Sequence, residues 1–194
     1  AALLPPLVQL EFEGRYAAML SHEPKNYALL TYDGRLLLRG VAFRSSRAEP
    51  FANDFLARAV EALLRGDVDG VRAEYVEAVR KLRERAYSTF EVSSRVRLTK
   101  SPAQYLAVRD KRRELTYEAL LASGRTSWST GERVRVYRTA TGYGGVVREY
   151  DADEVAPIDP RDYDVAHYRR VLRDTYAARF ERAFAPTDFA TVFA

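Results

Sequence analysis

Apolar and polar residues alternate at the start of the chain, with Val8, Leu10 and Phe12 on one face and Gln9, Glu11 and Glu13 on the other. That period of two predicts a half-buried strand. Arg15 to Leu20 extends the pattern. Two further strands are predicted over Asn26–Tyr32 and Arg35–Val41, joined by Asp33-Gly34, a hairpin signal. Three successive strands with short connections make an antiparallel meander. Lys25 and Tyr27 stand two positions apart at the start of the hairpin, so strand periodicity predicts that both point to one face.

The period changes from Phe51 onward. Pro50 suits a first helical turn, and Phe55, Leu56, Ala59, Val60, Leu63 and Leu64 recur at helical spacing until Gly66 supplies a stop. Asp67 can cap a second helix with a stripe of Val68, Val71, Tyr75, Val76, Val79 and Leu82, whose last turns carry Arg80, Lys81, Arg83 and Arg85. Cations there complement the helix dipole. After an extended link, Phe90 to Leu98, one helix is predicted from Pro102 to Ala122, ending at Gly124. Its Arg109, Lys111, Arg112 and Arg113 form the densest basic cluster of the chain. A β-rich insertion at about 128–150 and a closing helix over Asp162–Phe184 complete an α+β fold: a small antiparallel sheet in 1–47, then a mainly helical subdomain in 48–194.

Of 194 residues, 47% are hydrophobic and 30% charged, the balance of a globular protein with a proper core. There is no cysteine, which excludes disulfides, thiolate metal sites and a cysteine nucleophile. No apolar run approaches the roughly 20 residues that span a bilayer, so the expectation is a cytoplasmic protein without a membrane partner. The start, Ala1-Ala2-Leu3-Leu4, suggests a piece of a longer protein. The formal charge of +4 is compatible with a polyanion partner. Nearly all the basic residues are arginine, so Lys25, one of four lysines, stands out in the hairpin.

Catalytic motifs are missing from the sequence. His22 and His167 are too few for a metal cluster, and H-x-x-x-H, C-x-x-C and phosphate-loop spacings do not occur. Asp151, Asp153, Glu154, Asp159 and Asp162 lie in a turn-rich stretch where capping and solvation account for them. Glu11, Glu13 and Asp33 make no convincing two-metal set.

The segments, in their order, resemble the C-terminal part of family B DNA polymerases of bacterial type, the end of the palm followed by the thumb. Leu10-Glu11-Phe12-Glu13 with Tyr16 resembles the last palm strand. Pro24-Lys25-Asn26-Tyr27-Ala28 resembles the K-K-R-Y-A motif, and Gly34 to Gly40, closing on Arg39-Gly40, the strand after it. Leu98-Thr99-Lys100 with Tyr105, Ser129 to Val134, and Tyr163-Asp164-Val165 with Tyr168 resemble thumb landmarks. Phe184-Ala185-Pro186-Thr187-Asp188-Phe189 resembles the end of bacterial members.

The resemblance implies binding of double-stranded primer-template DNA by Lys25, Asn26, Tyr27, Arg44, Arg47, Lys100, Arg109, Lys111, Arg112 and Arg113. Pro24 and Asn26 replace a lysine and an arginine of the motif, and each lost phosphate contact weakens affinity and flattens its salt dependence. The resemblance also implies a role in replication or repair. It places the catalytic aspartates, their magnesium, the fingers lysine and the exonuclease carboxylates in upstream palm, fingers and exonuclease regions, the other expected partners. This chain alone is then inactive and needs no cofactor. The alternative reading is a non-catalytic interaction module derived from a polymerase thumb.

Overall fold

The computed structural model describes residues 14–147 and 157–194. The strand expected over Leu7–Glu13 and the acidic residues Asp151, Asp153 and Glu154 lie outside the described residues. β1 (Ala18–Glu23), β2 (Asn26–Leu30) and β3 (Leu36–Arg39) form the antiparallel meander, in the order β1-β2-β3. The Asp33-Gly34 turn joins β2 to β3, with Gly34 at φ +82°. β1 and β2 are joined more tightly. Glu23 pairs with Asn26, leaving Pro24-Lys25 as a two-residue connection with Lys25 at φ +65°.

α1 (Pro50–Leu64) and α2 (Val68–Arg83) match the predicted helices, and the Asp67 carboxylate accepts from Gly70 N–H at 2.7 Å as the cap of α2. α1 buries Phe51, Phe55, Leu56 and Val60 against Leu20 and Ala28 of the first sheet, Val71 and Leu82 of α2, and Tyr168, Leu172 and Phe180 near the C-terminus. Burial of such side chains contributes roughly 1.5–3 kcal/mol each, so this cluster dominates the stability of the fold.

The link after α2 is not simply extended. It holds a helical turn, α3 (Thr89–Val92), capped reciprocally by Ser88 and Glu91, and then β4 (Ser94–Arg97). β4 pairs with β5 (Arg133–Arg138), and β5 with β6 (Gly144–Val147), so the expected β insertion becomes a three-stranded antiparallel sheet.

The single helix expected from Pro102 to Ala122 is two: α4 (Pro102–Val108) and α5 (Leu115–Ala122). Residues 109–114 are all charged and offer no apolar side chain to a core. Tyr105 and Tyr117 supply the driving force for the break. In one continuous helix they would lie about 18 Å apart along the axis, whereas here their rings stack with centroids at 4.6 Å. With Leu98, Leu120, Trp128, Val134 and Val136 they form a second core.

The C-terminal helix is capped by Asp164 and begins at Val165, three residues later than predicted. It runs as α6 (Val165–Val171), loosens into a π turn over Leu172–Tyr176, and tightens into a 3-10 turn over Ala177–Ala183. α7 (Pro186–Val192) follows and brings Phe189 and Phe193 against the first core.

Candidate nucleic-acid interface

The predicted residues fall into three separate groups. The first surrounds the turn of the β1-β2 hairpin. Lys25 is exposed, but it occupies the turn and not the strand. Pro24 fixes its own φ and Lys25 takes the left-handed conformation, as at the second central position of a type II turn. Strand alternation therefore does not relate Lys25 to Tyr27, and this corrects the expectation of one shared strand face.

Tyr27 is half-buried on β2, with Ser21 opposite it on β1 and Arg39 opposite it on β3. Arg39 is exposed beside the phenol and is the cation that shares its row. It stood in the sequence as part of the Arg39-Gly40 pair, and only the strand register reveals it as a neighbour of Tyr27.

Asn26 is built into the scaffold. Its amide donates to the Pro24 carbonyl at 3.3 Å and its oxygen accepts from Ala42 N–H at 2.8 Å. Gly40, at φ +82°, packs so closely that a methyl group there would overlap the Lys25 carbonyl and the Asn26 amide. The Gly40 carbonyl then accepts from Phe43 and Arg44 N–H, which tucks Phe43 into the core and leaves the Arg44 side chain exposed.

The second group lies at the break between α4 and α5. Arg109 grips Glu118 with two hydrogen bonds of 2.7 and 2.9 Å, and the Tyr105 hydroxyl donates to the same carboxylate. These partners hold the Glu118 carboxyl down at about 2. Lys100 pairs with Glu114 at 2.6 Å beneath the ring of Tyr117, whose hydroxyl accepts from Thr99 and Lys100 N–H. Arg109 and Lys100 are thus committed to holding the helix pair. Lys111, Arg112 and Arg113 project from the connection, exposed and without an ion pair among the described residues.

The third group contains the predicted Arg47, but its other members were missed in the sequence. On the second sheet Arg95 lies opposite Arg135 and Arg97 opposite Arg133, four arginines on one face of two strands. Arg47 joins them, its carbonyl accepting from Arg95 N–H at 2.8 Å. The signal was available as Arg95-Val96-Arg97 and Arg133-Val134-Arg135-Val136, a period of two with valine facing the second core. Among the described residues, no group of three His, Cys, Asp or Glu side chains converges as metal ligands, and no helix is long and apolar enough to cross a membrane.

The fold is similar to that of a segment of one solved family B DNA polymerase. It superposes on the structure of the family B DNA polymerase from the hyperthermophilic archaeon Pyrobaculum calidifontis with a TM-score of 0.58 at 19% identity, over 84% of this chain and 20% of that one. In sequence, about half of the chain is similar to archaeal DNA polymerases. It is 29% identical over 103 residues to a DNA polymerase of Methanocaldococcus jannaschii, covering 53% of this chain. It is 33% identical over 90 residues to DNA polymerase 1 of Pyrococcus abyssi, covering 46% of this chain. The chain spans 6% and 11% of the lengths of these two relatives. No protein-family profile matches it. These three proteins are archaeal, and they lend no support to the expected bacterial type.

Proposed function

We propose that this chain is the end-of-palm and thumb portion of a family B DNA-directed DNA polymerase and that it holds primer-template duplex. The observation that carries this reading is the ordered likeness to such an enzyme over 84% of the chain, at 19% identity. The exposed Lys25 turn and the adjoining row of Tyr27 and Arg39 then supply a cation, a phenol and a second cation at one sheet end, groups that bond to phosphate oxygens. Lys111, Arg112 and Arg113 add charge at a second point, where a duplex can be steered and held without base readout.

The division into a palm end over 1–47 and a thumb over 48–194 belongs to the same proposal, as does a cytoplasmic location. The bacterial type has only the Phe184 to Phe189 tail in its favour. Magnesium in the complete enzyme would be held by aspartates upstream of this chain. Among the described residues, no three acidic or histidine side chains converge to fit such a site.

One observation favours the alternative, a non-catalytic interaction module. The position of the motif arginine is Asn26, whose amide is used up on Pro24 and Ala42. Mixing the chain with a fragment carrying upstream palm and fingers separates the two readings. Restored primer extension is the result the polymerase reading predicts. A stable complex that extends no primer would favour the interaction module.

A further inference from the structure

The arginine face of the second sheet has no task in the duplex reading, and its construction is unusual. Opposed residues on antiparallel strands hold their Cβ atoms about 4.5–5.5 Å apart, and like charges directly opposite destabilise the pairing. Here two such pairs are adjacent, Arg95 with Arg135 and Arg97 with Arg133. Several arginines elsewhere are paired with carboxylates: Arg58 with Glu74, Arg80 with Glu77 and Glu84, Arg109 with Glu118, Arg125 with Glu132, and Arg138 with Asp164. Among the described residues none of the four ladder arginines meets a carboxylate. The Arg135 guanidinium instead leans on Ser93 and stacks 4.2 Å above the ring of Phe90, which is 43% exposed.

The face is also concave. One cavity of about 460 Å³ is lined by Arg95, Arg133 and Arg135, together with Arg125 from beyond α5. A smaller one of about 140 Å³ is lined by Arg47, Arg95, Arg97 and Arg133. Arg95 and Arg133 belong to both, so the two run together as one furrow across the strands. Successive arginines along either strand are about 6.8 Å apart, twice the strand rise. That spacing suits successive phosphates of a nucleic-acid strand. A small anion would need only one end of the furrow. A basic groove with an aromatic ring at its edge is the construction that holds a single strand, the phosphates in the groove and a base on the ring.

We propose that the face formed by Arg47, Arg95, Arg97, Arg133 and Arg135, with Phe90 at its edge, binds single-stranded nucleic acid. This site is separate from the Lys25 hairpin and stands whether or not the chain also holds duplex. The test is fluorescence anisotropy over a range of salt with labelled oligo-dT, an RNA of equal length, and blunt duplex. The proteins compared are the full chain, Arg97→Glu, Arg97→Glu with Arg133→Glu, Phe90→Ala and Lys25→Ala.

Loss of both arginines weakens single-strand binding and flattens its salt slope by about 0.7 for each contact removed. Phe90→Ala weakens it without changing the slope. Duplex binding is unchanged by either, and Lys25→Ala leaves single-strand binding intact. The RNA arm shows whether the strand's sugar matters. Arg97→Glu alone places opposite charges across the strands, so it raises the thermal midpoint and shows that the protein remains folded. The inference is overturned if oligo-dT binding survives the double substitution, or if single-strand and duplex binding fall together.

Discussion

The side-chain oxygen of Asn26 accepts a hydrogen bond from Ala42 N–H at 2.8 Å, fastening the exit of β3 to the turn that carries Lys25. The amide thus sets where Lys25 and Arg44 stand. Asn26→Ala leaves the Ala42 N–H without its partner and costs about 1–3 kcal/mol. Asn26→Asp keeps the acceptor and costs less. Urea unfolding of the three proteins checks the order.

Lys25 holds a left-handed backbone in a turn whose second central position suits glycine. Lys25→Gly therefore stabilises the fold by about 1 kcal/mol while removing the charge. A rise in thermal midpoint together with weaker duplex binding is the expected pair of results, and it separates the cation's role from any structural one.

Gly40→Ala acts in the opposite direction. The position is left-handed and closed by the Lys25 carbonyl and the Asn26 amide, so a methyl group must displace the backbone of the turn. A loss of more than about 1 kcal/mol is expected in denaturant unfolding.

The pair of Glu118 and Arg109 gives the fold a pH dependence at its acid edge. Glu118 has a folded value of about 2 against an ordinary 4.5, so its contribution is complete above the ordinary value and is lost as pH falls through about 2. Glu118→Gln costs about 1–3 kcal/mol at neutral pH and removes this part of the acid sensitivity. Trp128 lies 5.7 Å from Tyr117 in the same core, so its fluorescence during urea unfolding at pH 7 and pH 3 reports the difference.

What the sequence revealed follows the range of the forces involved. The Asp33-Gly34 hairpin, the Asp67 cap and the apolar stripes of α1 and α2 depend on near neighbours, and all were legible. The break at 109–114 was not, because it is driven by the stacking of Tyr105 on Tyr117, a contact that helical periodicity does not encode. The arginine ladder was legible only in halves, since the register joins Arg97 to Arg133 across an intervening pair of helices. Lys25 was misplaced for a different reason. Pro24-Lys25 carries no glycine or asparagine to announce a turn, and the left-handed lysine is imposed by the pairing of Glu23 with Asn26.

The most direct test of the account is a titration of the chain with primer-template duplex at several salt concentrations. Binding is expected at low salt, with the logarithm of the affinity falling linearly with the logarithm of salt and a slope reduced by about 0.9 in Lys25→Ala. Absence of binding at low salt, or an affinity indifferent to salt, would contradict it.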